Sequence, residues 1–172
     1  MADWKRFVEV ISAYRLNDEL NEAISEAEIL RIERSFRVRI PKQLKEIYLS
    51  NNGQKCETKG IFKAVYGYDV YEKLILLSAG EMCLVRKKFL SNENYKGFFI
   101  KTYFPFAADN KESPENCFCL DIDTGEIFLL VLYAPDWTLP LDWQLWKIKQ
   151  ANTLFHFLDF QILLYGSDAK SI

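Results

Sequence analysis

The chain has 172 residues, of which 49% are hydrophobic and 27% charged, and its formal net charge is −2 at pH 7. This length suits one domain with its own core, and the composition is that of a folded protein rather than a disordered one. The longest strongly apolar run, residues 127–134, is far shorter than the roughly 20 residues that span a bilayer. With no apolar signal-peptide core near the N-terminus, a cytoplasmic protein without a membrane partner is expected.

The aromatic content of 15% predicts a core built from large rings. The four cysteines include no Cys-x-x-Cys pair, and His156 is the single histidine. A tetrahedral zinc site would therefore need unusual ligand spacing. We expect buried structural cysteines, no metal site and no cofactor.

The first 53 residues predict three helices. Apolar residues at helical spacing indicate a first helix over residues 3–16. Ser25 and Glu28 form a capping-box pattern that opens a second helix. Pro41 is placed to begin a third helix, which Gly53 is expected to end as a left-handed cap.

The remainder predicts short strands followed by a final helix. Ser78 and Glu81 form another capping box before a further helix, and helical spacing indicates a closing helix that runs from Ile148 to Gly166, with Phe155 among its inward residues. Short aromatic and aliphatic segments read as strands at 61–69, 73–78 and 98–106. The order favours a single α+β domain over residues 1–172, with N-terminal helices, a central, mostly antiparallel sheet and a closing C-terminal helix.

The stretch CFCLDIDTGEIFLL, residues 117–130, has three interpretations. A β-hairpin at 117–132 would use Asp123-Thr124-Gly125 as a three-residue connection, with glycine where φ must be positive. An aspartic protease would need a second such carboxylate, and the chain has no second copy. A phosphoryl-transfer pair at Asp121 and Asp123 would be expected before a helix, whereas another strand follows. The pattern favours the hairpin.

Other signals of catalysis are weak. The chain contains no Gly-x-Gly-x-x-Gly, Walker loop, Gly-x-Ser-x-Gly or His-Glu-x-x-His sequence. His156 lies in the predicted closing helix, where a packed or half-exposed histidine is the simpler interpretation. We therefore expect a binding protein and not an enzyme, with a carboxylate-dependent hydrolase centred on Asp121 and Asp123 as a distant alternative.

Charge is unevenly distributed along the chain. Residues 109–142 contain eight acidic residues and one basic residue, Lys111, a net charge of −7. Residues 31–45 contain six basic residues against Glu33. An acidic surface can steer association with a basic protein and mimic the phosphates that such a protein binds. A solvated acidic face is the simpler alternative, and the lack of overall positive charge argues against nucleic acid as the partner.

Three groups of motifs occur in order along the chain. The first has a capped helix at Ser25, an internal Glu33, an Ile40-Pro41 step and a terminal Asn52-Gly53. The second is FPFAADNKESPENCFCLDIDTGEIFLL, which contains Asp109, and the third is ANTLFHFLDFQI. Together they resemble the N-terminal signature, the second block and the last helix of the SUKH superfamily, the Smi/Knr-like immunity proteins. The resemblance covers roughly residues 22–165.

The resemblance implies a non-catalytic protein that binds and occludes a cognate toxin, often a nuclease or deaminase. The alternative is a regulatory scaffold of the same fold that binds another cellular protein. In residues 109–142, which we term the acidic segment, tryptophan side chains beside charged ones are typical of interface hot spots. The candidate partner contacts are Asp109, Glu112, Glu115, Asp136, Trp137, Asp142 and Trp143. The oligomeric state and the toxin's identity stay open.

Overall fold

A computed structural model describes residues 2–55, 59–66, 69–132 and 145–168. The described α-helices are α1 Ala2–Ser12, α2 Glu26–Phe36, α3 Lys42–Tyr48, α4 Ala79–Ser91 and α5 Leu154–Asp168, with short 3-10 helices at Asn17–Glu19 and Glu93–Tyr95. The strands are β1 Phe62–Tyr66, β2 Asp69–Leu76, β3 Tyr103–Ala108, β4 Asn116–Asp121, β5 Ile127–Leu132 and β6 Leu145–Ala151. Within these ranges no helix is both long and apolar enough to cross a bilayer.

The strands form one antiparallel sheet in the order β1-β2-β3-β4-β5-β6. Each strand therefore pairs with its neighbour in sequence, and β4 and β5 form the hairpin predicted at 117–132. The α+β class, the N-terminal helices, the central sheet and the closing helix α5 are all confirmed.

An aromatic cluster joins α1 and α5 to the sheet. The ring of Phe62 in β1 lies 5.4 Å from that of Phe7 in α1 and 5.5 Å from that of Phe157 in α5. Phe106 and Phe118, from β3 and β4, complete the cluster at 5.8 and 6.4 Å from Phe62. All five side chains are fully buried, and each contributes roughly 1.5–3 kcal/mol of hydrophobic stabilisation. The prediction of a ring-based core is confirmed.

The predicted start of the closing helix is wrong. Ile148 lies in β6, where a half-buried side chain between two exposed lysines follows the period of a strand. The helix begins after Thr153, whose hydroxyl accepts a hydrogen bond from the His156 N–H at 3.2 Å. Phe155, expected to face inward, is 47% exposed. His156 is exposed as well.

Other boundaries also differ from the predictions: α1 ends at Ser12, β2 is Asp69–Leu76, and α5 continues past Gly166 to Asp168. The strand expected at 98–106 begins only at Tyr103, and Phe98 and Ile100 are exposed in the turn before it. Helix α3 ends at Tyr48, with Leu49 in a right-handed conformation as its cap. Gly53 has the predicted positive φ of 81°, but it lies beyond the helix end and serves another purpose.

Gly53 and the two asparagines before it connect the N-terminal helices to the sheet and α4. The Asn51 side-chain oxygen accepts a hydrogen bond from the Trp4 indole at 3.1 Å, and the Asn52 side-chain oxygen accepts one from the Ala79 N–H at 2.9 Å. At Gly53 a Cβ atom would lie 2.5 Å from the backbone nitrogen of Ser78. The Asn-Gly motif therefore has a structural role, since glycine permits this close contact.

Glu33 fixes the connection between α2 and α3. Its carboxylate accepts hydrogen bonds from the Ile40 N–H at 2.7 Å and from the Lys45 ammonium at 2.8 Å, and the Glu33 residue is only 9% exposed. Burial opposes ionisation of Glu33, but the bonds from Lys45 and the Ile40 backbone outweigh it and lower the pKa of the carboxyl group. The Ile40-Pro41 step is thus held by a buried carboxylate.

Helix α5 covers the outer edge of β1. The Gln161 side chain accepts a hydrogen bond from the Lys63 N–H at 2.8 Å and donates one to the Lys63 carbonyl at 3.0 Å, as a neighbouring strand would. Tyr165 donates its hydroxyl to the Ile61 carbonyl at 2.8 Å, and the buried Lys63 ammonium donates to the Leu164 carbonyl at 2.9 Å. The edge of β1 is therefore closed by side chains of a helix.

Replacing Gly53 by alanine is expected to lower the free energy of unfolding by about 3 kcal/mol, because the new Cβ meets the backbone of Ser78 and φ is positive. Gly80→Ala is the matched control, since no atom lies within 4 Å of its added Cβ and alanine favours the helix; a gain of about 0.5–1 kcal/mol is expected. Urea unfolding measures the change in the free energy of unfolding for each of the two variants. Equal effects of the two substitutions would contradict the proposed close contact.

Glu33→Gln is expected to lower the free energy of unfolding by about 1–2 kcal/mol at pH 7. Because the folded-state pKa of Glu33 is depressed, its stabilisation is present above the unfolded value and is lost as the pH falls through the folded value. The difference between wild type and variant should therefore shrink in urea titrations as the pH is lowered from neutral to below the ordinary pKa range of a glutamate carboxyl group. Glu9→Gln, at an exposed site on α1, is the control. A difference that does not change with pH would refute this role for the carboxylate.

Candidate functional site

Asp109, a predicted partner contact, organises the loop that follows β3. One carboxylate oxygen accepts hydrogen bonds from the Asn110 and Glu115 N–H groups at 2.8 and 3.1 Å. The other accepts from the Asn116 backbone and side-chain nitrogens at 2.9 and 3.1 Å. Both carboxylate oxygens of Asp109 are thus bonded within the chain. Residues 109–115, which we term the acidic loop, are held from inside by this residue.

The two glutamates of the acidic loop are exposed. Asn110 fixes the middle of the loop, because its side-chain oxygen accepts hydrogen bonds from the Glu112 and Ser113 N–H groups at 3.1 and 2.6 Å. From α4, the Lys88 ammonium donates to the Glu112 carbonyl at 2.8 Å. Glu112 and Glu115 therefore extend exposed side chains from a backbone that internal hydrogen bonds hold in place.

Lys111, the single cation of the acidic segment, is bonded toward the protein. Its ammonium lies 3.0 Å from the Glu81 carboxylate at the start of α4 and donates to the Gln54 carbonyl at 3.0 Å. Only 19% of the Lys111 side chain is exposed. Because its charge is offset by Glu81, the outer surface of the acidic loop is dominated by the two glutamates.

The turn of the β4–β5 hairpin is one residue longer than predicted. The Asp121 N–H donates to the Glu126 carbonyl at 2.9 Å and the Asp121 carbonyl accepts from the Gly125 N–H at 2.8 Å, so the loop is Ile122–Gly125. Gly125 has a φ of 77°. The 6%-exposed Asp121 accepts a side-chain bond from the Asp123 N–H at 3.1 Å. This arrangement favours the hairpin interpretation over a protease or phosphoryl-transfer site.

The acidic residues that the structure describes between 109 and 126 do not form one continuous surface. Asn116 and Asp121 are at opposite ends of β4, about 17 Å apart along the strand. The acidic loop precedes Asn116, whereas Asp123 follows Asp121, and Glu126 is ion-paired with Lys149. The acidic side chains that the structure describes between residues 109 and 126 are therefore divided between the two ends of β4.

Four of the predicted contacts, Asp136, Trp137, Asp142 and Trp143, lie outside the described residues. The chain around them is described up to Leu132 and again from Leu145, which are paired in the sheet. Val131, beside Leu132, pairs with Asn116 at the end of the acidic loop. The end of β5 at Leu132 and the start of β6 at Leu145 thus lie at the same end of the sheet as Glu115.

The basic segment 31–45 is partly neutralised by internal ion pairs. Arg31 and Glu28 form two hydrogen bonds at 2.6 and 2.9 Å, which lower the pKa of Glu28, and Lys45 is paired with Glu33. These pairs match the interpretation of the segment as paired carboxylates and guanidinium groups on a helix surface. Three arginines remain exposed, and no ion pair joins them to another described residue: Arg34, Arg37 and Arg39.

Sequence reasoning missed a cleft of about 230 Å³ between α2 and α4. Burial raises the pKa of the Cys83 thiol at its base to about 12, so this cysteine stays protonated at neutral pH, as expected for a structural role. The two helices are more than 40 residues apart in the chain, and no spacing pattern signals that they meet. The cleft is lined by Phe36, Val38, Cys83, Arg86, Lys87, Leu90 and Ser91.

Asp109→Ala is expected to lower the free energy of unfolding by about 2 kcal/mol, because three backbone N–H groups lose a charged acceptor. Hydrogen exchange at Glu115 and Asn116 should accelerate. Asp123→Ala removes an exposed carboxylate from the other end of the sheet and should change stability by less than about 0.5 kcal/mol. Unchanged exchange in the Asp109 variant would show that the loop is held by other contacts.

Comparison with known sequences gives one family match. The sequence model of the SMI1 / KNR4 family (SUKH-1) matches residues 23–159, well over half of the chain. This range begins just before α2 and ends within α5, so it contains the acidic loop, the hairpin and the cleft. A search of curated proteins gives no match. Membership of this family supports a protein-binding role of the immunity type. The chain belongs to the SMI1 / KNR4 family (SUKH-1).

Proposed function

We propose that this chain is an immunity protein that neutralises a cognate protein toxin by binding it and occluding its active site. The toxin would be of the nuclease or deaminase class, and the chain would act stoichiometrically, without turnover or a cofactor. The observation that carries the proposal is an exposed pair of glutamates on an internally braced loop in a member of this family.

Electrostatics supports the acidic loop as the first contact. Enzymes that act on nucleic acids bind phosphates with basic surfaces, which two neighbouring carboxylates can engage in their place. Because Asp109 and Asn110 hold the loop backbone, little conformational entropy is lost when a partner binds Glu112 and Glu115. Asp136, Trp137, Asp142 and Trp143 remain proposed contacts, with the tryptophans supplying buried area.

The test is bacterial co-expression with the C-terminal region of the protein encoded upstream of this gene. Killing by that region, relieved by this chain, is the expected result, and surviving colonies are counted. The double variant Glu112→Lys/Glu115→Lys should protect less, because it places cations where the toxin's basic surface would bind. Asp123→Lys, at the far end of β4, is a charge-reversal control with half the change in charge, and it should protect fully.

Association rates measured with the purified toxin and the purified chain separate effects on binding from effects on expression. At low salt the double variant should associate at least about tenfold more slowly than wild type, and added salt should reduce that difference. An unchanged association rate would remove the acidic loop from the interface. A neighbouring protein that is harmless, or that kills regardless of this chain, would contradict the toxin proposal and favour a regulatory scaffold.

A further inference from the structure

The cleft between α2 and α4 combines an apolar lining with cations. Phe36 and Val38 form the α2 side, and Leu90, 38% exposed, forms part of the α4 side. Arg86 and Lys87 line the same cleft. No carboxylate is among the lining residues. The cleft lies on a different side of α4 from the acidic loop, which Lys88 and Glu81 contact.

Arg86 is a half-buried cation that is held in a fixed position. Its guanidinium stacks on the Phe104 ring at 4.6 Å and donates to the Tyr103 carbonyl at 3.1 Å and to the Lys101 carbonyl. These acceptors are neutral, and within the described part of the chain no carboxylate forms an ion pair with Arg86. A positive charge removed from water without a counterion is electrostatically unfavourable, and an anionic ligand would compensate it.

Arg37 lies in the chain between two lining residues of the cleft, Phe36 and Val38, and has a strained backbone conformation. It follows the last residue of α2, and its φ of 52° and ψ of 46° are left-handed values that glycine normally occupies at this position. The Val38 N–H then donates to the Glu33 carbonyl at 3.0 Å, which turns Val38 back toward the cleft.

The size of the cleft limits its occupant. At about 230 Å³ it is smaller than the 300–1,000 Å³ usual for small-molecule sites, but it has room for one or two apolar side chains. A nucleic acid would use the cations and leave the Phe36, Val38 and Leu90 surface unmatched. An acidic peptide segment with a bulky apolar anchor satisfies both features.

We propose that the α2–α4 cleft is a second protein-binding site, which takes an acidic segment of a partner protein with its apolar anchor between Phe36 and Leu90 and its carboxylates on Arg37, Arg86 and Lys87. The site is independent of the proposed toxin-binding function, because it uses another surface and an opposite charge. The chain would then hold two partners, or two parts of one partner, at the same time.

The test titrates the full chain with an end-blocked synthetic peptide that contains Glu-Asp-Phe-Leu-Asp-Glu, while amide shifts are followed by NMR. Shifts are expected at Phe36, Val38 and Lys87, with weaker binding at high salt. A peptide with Ala-Ala in place of Phe-Leu should lose these shifts. A peptide with Gln and Asn in place of the acids should bind about tenfold more weakly, which corresponds to about 1.4 kcal/mol.

Variants of the chain separate binding from folding. Lys87→Glu should weaken binding about tenfold, whereas Lys5→Glu, which makes the same charge change on α1, should leave it unchanged. Arg37→Gly should weaken binding about threefold while it raises the midpoint of thermal unfolding, because glycine relieves the left-handed strain. A gain in stability together with a loss of binding cannot come from misfolding.

Three results would overturn the proposal. The first is an absence of shifts at the cleft amides up to the solubility limit of the acidic peptide. The second is equal binding by the Ala-Ala peptide or an equal effect of Lys5→Glu, either of which would reduce the interaction to non-specific charge. The third is tighter binding of a single-stranded RNA oligonucleotide through the same residues, which would make the cleft a nucleic-acid contact.

Discussion

The close approach of Gly53 to Ser78 determines where α4 lies, and both candidate surfaces depend on α4. Without a side chain at Gly53, the backbone of the N-terminal helical region reaches the first turn of α4, where Asn52 bonds the Ala79 N–H. Helix α4 then supplies one wall of the cleft and, through Glu81 and Lys88, the support for the acidic loop. One tight backbone contact therefore positions an anionic surface and a cationic one relative to each other.

These two surfaces remain charged because the groups that could neutralise them are paired elsewhere. Lys111 is bound by Glu81 beneath the acidic loop, and Glu33 is bound by Lys45 beneath the basic segment. In each case the ion pair is partly shielded from solvent, while like charges stay exposed: Glu112 and Glu115 on the acidic loop, and Arg34, Arg37 and Arg39 on the basic segment. Because the exposed acidic and basic groups lie on separate surfaces, each surface can attract a partner of opposite charge, while the net charge of the chain stays small.

Local signals were readable from the sequence, and long-range ones were not. Ser25 and Ser78 each cap a helix as predicted, since a cap depends only on residues a few positions away. The β4–β5 hairpin was predicted from its turn, although whether Ile122 belongs to strand or turn depends on pairing across the sheet. The apolar positions around Ile148 are compatible with either a strand or the start of a helix, and only pairing with β5 decides between the two. The division of the acidic segment and the α2–α4 cleft depend on tertiary structure, which spacing does not encode.

The edge strand β1 is synthesised long before the helix α5 that covers it. Gln161 and Tyr165, which satisfy the backbone of β1, are made about a hundred residues after Lys63 and Ile61. Until α5 leaves the ribosome, that strand presents free amide and carbonyl groups, and the Lys63 ammonium lacks the Leu164 carbonyl. A nascent chain released before this point carries an open strand edge, a feature that promotes aggregation. Completion of the fold is therefore tied to synthesis of its last helix.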